Sequence, residues 1–255
     1  MILRHPVQSV LIGLSKGNRL MPPKRKQRIL VAIDGPAGAG KSTIAARLAQ
    51  RLEVPYLDTG AMYRAVALLA LRDGLPTALD EAGAARVVEL MENHRIEVSG
   101  GISGNRIEID GDDVSSEIRT PECSLMASAV SAIPEVRQAL VPMQRRLGLE
   151  KGGVMEGRDI GTVVFPDADL KVFLTASAEE RAQRRHRDLA NHEVAVSIDE
   201  VREQQNRRDH QDTSRSESPL QVAPGSVVVD TTDLSLDKVI ERLMAEVANL
   251  FPQGA

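Results

Sequence analysis

The sequence is poor in aromatic residues, with no Trp, 2 Tyr and 3 Phe in 255 residues. Because proteins bind single-stranded nucleic acids largely by stacking bases on aromatic side chains, this scarcity argues against such a partner. The single cysteine, Cys123, excludes an intramolecular disulfide and fits a reducing compartment. No apolar run is long enough to span a membrane, and a net charge of −4 gives no general attraction to polyanions. We therefore expect a cytoplasmic protein that binds neither nucleic acid nor membranes.

Residues 1–27 differ in kind from the rest of the chain. The apolar run Val7–Leu14 follows Arg4 as the core of a secretory signal would, but Lys16 comes soon after it and no convincing cleavage site follows. We predict instead that residues 1–27 are a disordered or misassigned leader, with Met21 as a candidate true start. On this interpretation, deleting residues 1–20 leaves stability and activity unchanged.

The most informative motif is G-x-x-x-x-G-K-[ST] at residues 35–42, directly after the apolar run Ile29–Ile33. Its glycines let consecutive backbone N–H groups surround an anion, and the N-terminus of a helix predicted over Thr43–Leu52 adds positive potential. Lys41 can reach the outer phosphates, and the Ser42 hydroxyl can bind Mg²⁺. An ordinary Gly-rich turn is the alternative, but the strand before the motif and the helix after it favour a nucleoside triphosphate site. The predicted ATP-binding residues of this loop are Gly35, Pro36, Ala37, Gly38, Ala39, Gly40, Lys41, Ser42 and Thr43.

Apolar runs suited to buried strands alternate with helical patterns along most of the chain. This alternation predicts an α/β protein with a five-stranded parallel sheet and helices on both faces, the three-layer fold of P-loop proteins. Ligands of such sheets bind at the carboxyl ends of the strands. The predicted strands are Ile29–Ile33, Tyr56–Asp58, Gly153–Glu156, Leu170–Thr175 and Val227–Asp230. The predicted helices are Thr43–Leu52, Ala61–Arg72, Pro134–Leu147, Ala178–Ala190, Ile198–Arg208 and Leu236–Leu250.

Two segments depart from this pattern. Arg95–Val98 and Arg106–Ile109 alternate polar and apolar residues around a turn at 99–105, which predicts an antiparallel hairpin with one wet face. Such a hairpin does not fit a parallel sheet, so we predict a small insertion at about 85–120. The second segment, Arg181–Arg215, holds eight arginines and seven acidic residues. Composition alone favours a solvated pair of helices there.

A polar block follows the second predicted strand. Leu57–Arg64 begins a helix, with Thr59 as a natural N-cap and Arg64 one turn in, where it can clamp a phosphate. Tyr63 in the same turn is either a ligand contact or a core residue.

A second polar block, Glu156–Asp159, ends the third predicted strand and places an arginine and two carboxylates opposite the phosphate loop. Phosphoryl transfer needs cations around the migrating group more than it needs covalent catalysis. A purely structural salt bridge between Arg158 and Asp159 is the competing interpretation.

Taken together and in this order, these blocks resemble the bacterial cytidylate kinase family from about Ile29 to Leu250. The segments that carry the resemblance are GPAGAGKST (35–43), LDTGAMYRAVAL (57–68), DVSSEIRTPE (113–122), EGRDIGTVVFPDADLKVFL (156–174) and RRDHQDTSR (207–215). The resemblance implies a kinase domain at 28–255, with the insertion at 85–120 as a mobile monophosphate-binding region and residues 178–218 as a helical lid. It implies transfer of a phosphoryl group from ATP to CMP and dCMP with Mg²⁺, in pyrimidine nucleotide metabolism. We expect a monomer, because lid and insertion must move freely.

The resemblance also assigns roles to particular residues. The groups expected to hold the acceptor nucleotide are Thr59, Tyr63 and Arg64. Those expected to read cytosine are Ser128, Arg137 and Asp159, of which Asp159 can accept from the exocyclic amine. Lid-side contacts to phosphate and ribose are expected from Arg158, Arg208, Asp212 and Arg215. Arg181 and Arg184 are expected to face ATP, with the Thr231–Thr232 loop beneath the adenine. The expected catalytic cations are Lys41, Arg158, Arg208 and Arg215. Glu156 stands where the family pattern has Asp, and is expected to hold Mg²⁺ through water.

Three other functions also use a phosphate loop. A guanine-nucleotide switch needs an N-K-x-D element, which is absent, although a D-x-x-G string occurs at Asp80–Gly83. Val227–Asp230 resembles the Walker B strand of a nucleic-acid or transport ATPase, but only about 25 residues follow it. Kinases of uridylate, thymidylate or adenylate are the nearest competitors within the same class.

Overall fold

The computed structural model describes residues 10–11, 29–101, 104–191, 196–215 and 217–250. The strands are β1 (Val10–Leu11), β2 (Leu30–Asp34), β3 (Tyr56–Asp58), β4 (Ile96–Gly101), β5 (Gly104–Ile109), β6 (Asp112–Asp113), β7 (Gly153–Gly157), β8 (Leu170–Thr175) and β9 (Val227–Asp230). The helices are α1 (Lys41–Leu52), α2 (Gly60–Arg72), α3 (Glu81–Asn93), α4 (Pro121–Val130), α5 (Pro134–Lys151), α6 (Ala178–Asn191), α7 (Ile198–Ser214) and α8 (Leu236–Leu250). Two short turns are also regular, a 3-10 turn at Glu117–Arg119 and a π-helical turn at Ile160–Val164.

The chain forms two compact units. We call Ile29–Leu52 with Val154–Ala255 the phosphate-loop unit, and Met1–Arg28 with Glu53–Gly153 the hairpin unit. Each of the five segments predicted as parallel strands is a strand, and helices connect them, so the predicted α/β fold class is confirmed. The predicted boundaries of the kinase domain, its insertion and its lid stay predictions.

In the phosphate-loop unit, β7, β2, β8 and β9 lie side by side in that order. β2 pairs in parallel with β8, and β8 pairs in parallel with β9. All residues of β2 and β7 are buried, including the carboxylates Asp34 and Glu156 near their carboxyl ends. The last strand differs, because Val228 of β9 is 47% exposed. Helices α1 and α8 contact each other, and the loop that leads into α1 leaves the carboxyl end of β2.

In the hairpin unit, β4 and β5 form the predicted antiparallel hairpin, with Ile96 opposite Ile109. The expectation that this hairpin stands apart from the other strands is wrong, since Gly101 of β4 also pairs antiparallel with Tyr56 of β3. The alternating pattern predicts which face of the hairpin is exposed to solvent. It does not predict which further strand pairs with β4. Helix α2 packs against α4 and α3, and the apolar face of the hairpin is buried at Val98 and Ile107.

Only two residues of the leader are described. Val10 and Leu11 form β1, which pairs antiparallel with Val98 and Glu97 of β4; the rest of residues 1–27 lie outside the described residues.

Deleting residues 1–20 is expected to leave kcat unchanged and to lower Tm by less than about 5 °C. Two paired residues contribute few hydrogen bonds, each about 0.5–1.5 kcal/mol net, and about 1 kcal/mol changes Tm by roughly 2–4 °C in a chain of this size. Thermal unfolding of the truncated protein checks this. A drop well beyond 5 °C would show that the leader is an integral part of the sheet.

Two helices were missed in the sequence, although both carry capping signals. α3 begins after Asp80, whose side chain accepts from the N–H of Gly83 at 2.8 Å. The D-x-x-G string is therefore a helix start and gives no support to a guanine-nucleotide switch. α4 begins after Thr120, which caps the N–H of Cys123 at 3.1 Å, with Pro121 in the first turn.

The segment predicted as a lid contains two helices with a small core of their own. Ala182 and Leu189 of α6 pack with Val201 of α7, and Val196 and Ile198 cover this cluster. The loop between the helices lies partly outside the described residues. Among the described helices, none combines the length and apolarity that crossing a membrane would require.

Candidate functional site

The phosphate loop has a backbone that only glycine allows at its first position. Gly35 has φ 148°, and a Cβ there would lie 2.0 Å from the carbonyl oxygen of Leu174. Gly38 has φ 78°, and a Cβ there would lie 2.9 Å from the backbone oxygen and the Cβ of Arg181. Because α1 begins at Lys41, the loop ends on a helix N-terminus, and its geometry is that of an anion cradle.

Lys41 is the buried cation of this loop. Its side chain is 7% exposed, and Nζ donates to the carbonyl oxygen of Pro36 at 2.7 Å. Burial lowers the pKa of Lys41, and the charge of Arg158 lowers it further, while Glu156 acts in the opposite direction. Arg208 adds to the lowering.

A second group of charges meets at Asp212, which is 2% exposed. Arg158 donates through Nε to Oδ2 of Asp212 at 2.8 Å, and Arg215 donates through Nη2 to Oδ1 at 2.6 Å. Burial by itself would raise the pKa of Asp212, but the charges of Arg158, Arg215 and Arg208 hold it below its ordinary value. Arg158 is thus paired with Asp212 of α7, a partner that the sequence block Glu156–Asp159 did not reveal.

Arg181 and Arg184 of α6 form hydrogen bonds near the phosphate loop. Arg181 is 7% exposed and donates through Nη1 to Asp209 at 2.6 Å and to the carbonyl oxygen of Ala37 at 3.3 Å. Arg184 donates through Nη2 to the carbonyl oxygen of Thr231 at 2.7 Å and through Nη1 to its hydroxyl at 2.9 Å. The predicted ATP edge therefore brings together α6, the loop and the segment after β9.

Two oxygen donors in this unit fit a bound Mg²⁺. The Ser42 side chain is on an exposed residue at the start of α1, and Glu156 is a buried carboxylate near Lys41. Within the residues that the structure describes, no group of three or more His, Cys, Asp or Glu is arranged to hold a metal. Two oxygen donors suit Mg²⁺, which usually keeps several waters and binds substrate phosphates.

Asp34, at the end of β2, is a site residue that the sequence analysis missed. It is 3% exposed, and its carboxylate accepts from the backbone N–H groups of Ile160 and Gly161, next to Asp159. Burial raises the pKa of Asp34 to about 6, although both hydrogen bonds oppose this. Its hydrogen-bond partners are more than a hundred residues away in the sequence. The only local signal for Asp34 is its position directly before Gly35.

In the hairpin unit, the start of α2 is organised by Asp58. Asp58 Oδ1 accepts from the N–H of Ala61 at 3.2 Å, and Oδ2 forms an ion pair with Arg64. Thr59 occupies the N-cap position as predicted, but its side chain makes no capping hydrogen bond, since Asp58 supplies it. Asn105 of β5 binds the backbone of Asp58 twice, at 2.9 and 3.4 Å.

The other predicted contacts of this unit surround α2. The guanidinium carbon of Arg137 lies 5.8 Å from the centre of the Tyr63 ring, which is a cation–π contact. Ser128 is buried on α4, the helix that packs against α2. Both interpretations of Tyr63 stay open, because the residue is 8% exposed yet contacts a predicted base-reading arginine.

The structure thus assembles the predicted site residues as two sets. The loop, Lys41 and the lid-side charges belong to the phosphate-loop unit, and the acceptor-holding residues of α2, α4 and α5 belong to the hairpin unit. Asp159, one of the predicted base-reading residues, belongs to the first set. The assignment of each residue to a particular ligand stays a prediction.

Comparison with known proteins gives a consistent result along most of the chain. The family model described as Cytidylate kinase matches residues 31–249. The chain is 49% identical over 215 residues to "Cytidylate kinase" of Caldanaerobacter subterraneus subsp. tengcongensis, covering 84% of this chain and 92% of that protein.

Two further similarities were found. The chain is 48% identical over 225 residues to "Bifunctional pantoate ligase/cytidylate kinase" of a Synechococcus species; the match covers 87% of this chain and only 41% of that longer protein. Among solved structures, an uncharacterized protein from Eubacterium ventriosum is 10% identical with a TM-score of 0.49, covering 88% of this chain and 99% of that one. A likeness this weak has no bearing on function.

Proposed function

Because the chain belongs to the cytidylate kinase family, we propose that it transfers the γ-phosphoryl group of ATP to CMP and dCMP, giving ADP and CDP or dCDP. It is an ATP-dependent nucleoside monophosphate kinase with a place in pyrimidine nucleotide metabolism. One observation carries the proposal: the buried Lys41 of the phosphate loop belongs to the same unit in which Arg158 and Arg215 converge on Asp212, at 2.8 and 2.6 Å. Phosphoryl transfer requires such a concentration of positive charge on one group of atoms.

ATP binds along the phosphate loop. Backbone N–H groups of residues 35–42 hold the phosphates, and Lys41 exchanges the carbonyl oxygen of Pro36 for phosphate oxygens. A phosphate near Lys41 stabilises the charged amine, which offsets the effect of burial. Arg181 and Arg184 lie at the edge of the loop, and the Thr231–Thr232 segment held by Arg184 provides backbone contacts for the adenine.

The lid-side arginines neutralise the migrating phosphoryl group. Arg158 and Arg215 are oriented by Asp212, so their remaining N–H groups are directed before substrate arrives. Arg208 adds a third positive charge in the same neighbourhood. Preorganised donors of this kind stabilise charge in the transition state without reorganisation during the reaction.

Contacts to the acceptor nucleotide are proposed for individual residues of each set. Thr59, Tyr63 and Arg64 contact its phosphate and sugar, with Arg64 moving from Asp58 to the phosphate. Ser128, Arg137 and Asp159 recognise the base. The Asp159 carboxylate accepts from the exocyclic amine of cytosine, which uracil lacks.

Mg²⁺ is proposed as the metal of the reaction. The Ser42 hydroxyl would hold it directly and Glu156 would hold it through water. When bound, the ion neutralises phosphate charge and aligns the β and γ groups.

We place the enzyme in the cytoplasm as a monomer without nucleic-acid or membrane partners. Its buried free cysteine is compatible with a reducing compartment, and its negative net charge gives no affinity for polyanions.

The experiment that tests the function is ADP release coupled to NADH oxidation, measured with a panel of monophosphates. We expect CMP and dCMP to be the best acceptors, ahead of UMP, AMP and TMP. Equal or better turnover with AMP or TMP would overturn the assignment.

Replacing Asp159 by alanine tests how the base is read. Losing a buried hydrogen-bond partner costs about 1–3 kcal/mol, or roughly 5- to 150-fold. The loss should appear in kcat/KM for CMP and be smaller for UMP, so the CMP-to-UMP preference shrinks. Asp167→Ala is the matched control, because Asp167 is an exposed carboxylate soon after the same turn. An unchanged preference in Asp159→Ala would leave this residue a structural role only.

A further inference from the structure

A buried carboxylate joins the end of the phosphate-loop strand to the turn that carries Asp159. Asp34 is the last residue of β2 and is 3% exposed. Its Oδ1 accepts from the N–H of Ile160 at 2.8 Å, and its Oδ2 accepts from the N–H of Gly161 at 2.7 Å. Both oxygens of one carboxylate are therefore bound to two consecutive peptide groups.

Asp159 stands at the N-cap of the π-helical turn Ile160–Val164, where an aspartate side chain usually accepts from the first backbone N–H groups. Its side chain makes no such capping bond, since Asp34 accepts from the first two N–H groups of the turn. The carbonyl oxygen of Asp159 accepts from the N–H groups of Val163 and Val164 at 2.9 and 3.2 Å. The turn thus restrains the backbone of Asp159, while the capping role belongs to Asp34.

A carboxylate at this position is disfavoured by burial, which raises the pKa of Asp34 to about 6. The nearby charge of Asp159 raises it too, and that of Lys41 lowers it. A neutral side chain of the same size would avoid this desolvation, but none offers two oxygen acceptors to two N–H groups. A Cβ on Gly161 would lie 3.3 Å from Oδ2 of Asp34, so a side chain at this position would crowd the carboxylate.

We propose that Asp34 is a positioning residue for recognition of the acceptor base, because it holds the backbone of residues 159–161 in the arrangement that presents the Asp159 carboxylate. Asp34 acts through Asp159 and does not itself contact nucleotide. The proposal rests on the proposed function, in which Asp159 accepts from the cytosine amine.

The test is Asp34→Asn, which keeps the size of the side chain but presents an amide N–H₂ to one of the two backbone donors. We expect kcat/KM for CMP to fall at least about 10-fold and that for UMP to fall less, so that the CMP-to-UMP ratio decreases. In a background of Asp159→Ala, Asp34→Asn should change the ratio no further, because both act on one interaction. Equal losses for CMP and UMP, or additive effects on the ratio, would overturn the proposal.

The matched control is Asp169→Asn. Asp169 Oδ2 also accepts from a backbone N–H, that of Leu30 at 2.7 Å, but at the opposite end of β2. This variant replaces a charged acceptor of a backbone N–H by a neutral amide oxygen and should keep the wild-type ratio. If it lowered the ratio as much as Asp34→Asn does, the effect would belong to the strand in general and the proposal would be wrong.

Two measurements are independent of catalysis. Amide hydrogen exchange of a peptide spanning residues 158–164 should accelerate in Asp34→Asn and stay unchanged in Asp169→Asn. The second measurement uses the wild type, so a folding defect of the variant cannot affect it. The N–H resonances of Ile160 and Gly161 should titrate together with a midpoint near pH 6. If amide exchange at residues 158–164 is the same in Asp34→Asn as in the wild type, Asp34 does not hold the turn. A wild type without preference for CMP would refute the proposed function, whereas a CMP-selective wild type with an unchanged Asp34→Asn variant would refute only this inference.

Discussion

Replacing Lys41 by methionine is expected to lower kcat by on the order of 10²- to 10³-fold, as the loss of one preorganised charge contact does in other active sites. Lys41 is 7% exposed and is the positive charge nearest the loop backbone, with Nζ 2.7 Å from the carbonyl oxygen of Pro36. Methionine has a similar length and no charge, so it removes the contact to the phosphates without leaving a large cavity. Steady-state kinetics with saturating ATP and CMP measure the effect.

The chain offers a close control for this variant. Lys171 also donates through Nζ to the carbonyl oxygen of a proline five residues earlier, Pro166, at 2.9 Å, but this contact is exposed. Lys171→Met therefore removes the same local hydrogen bond and should keep kcat within about twofold. Near wild-type turnover in Lys41→Met would show that Lys41 is not a catalytic residue.

Stability should change in the opposite direction from activity. The folded state lowers the pKa of Lys41 from its ordinary 10.5, first through burial and then through Arg158, so the charged amine is penalised in the folded state. The penalty is largest below the folded pKa and disappears as pH rises toward 10.5. Lys41→Met should therefore be at least as stable as the wild type at pH 7, and any gain in Tm should shrink as pH rises.

Replacing Asp212 by alanine is expected to cost about 3–5 kcal/mol of unfolding free energy, because it leaves buried cations without their counter-charge. Asp212 is 2% exposed and binds Arg158 at 2.8 Å and Arg215 at 2.6 Å. The Arg158 and Arg215 side chains are 19% and 8% exposed, so water replaces little of the lost interaction. Urea denaturation measures the loss.

A matched exposed ion pair on the same helix provides the control. Asp199 pairs with Arg202 at 2.7 Å, but the Asp199 side chain is 83% exposed. Asp199→Ala should cost no more than about 1 kcal/mol. A similarly small loss in Asp212→Ala would show that the arginines at Asp212 are solvated or find other partners.

Where Asp212→Ala remains folded, its kcat should fall as well, because Arg158 and Arg215 lose the carboxylate that orients both of them.

Local sequence patterns predicted the secondary-structure elements well where the local structure requires a particular residue type. β2 and the loop after it were predicted because a buried parallel strand needs a continuous apolar run and an anion cradle needs glycine. The helices α3 and α4 were missed, although Asp80 and Thr120 are caps that a search for helix starts would find. Their apolar faces are short, so periodicity alone gave a weaker signal than the caps did.

The sequence by itself determined the fold class, the phosphate loop and the set of charged residues, because strand burial, glycine conformation and helix periodicity act over a few neighbouring residues. Only the tertiary structure decided how those charges are paired. Arg158 meets Asp212 across 54 positions, and Asp34 meets Ile160 across 126. A carboxylate can pair with any donor that folding brings within about 3 Å, so its partner depends on how the strands and helices pack and not on the residues beside it in the chain.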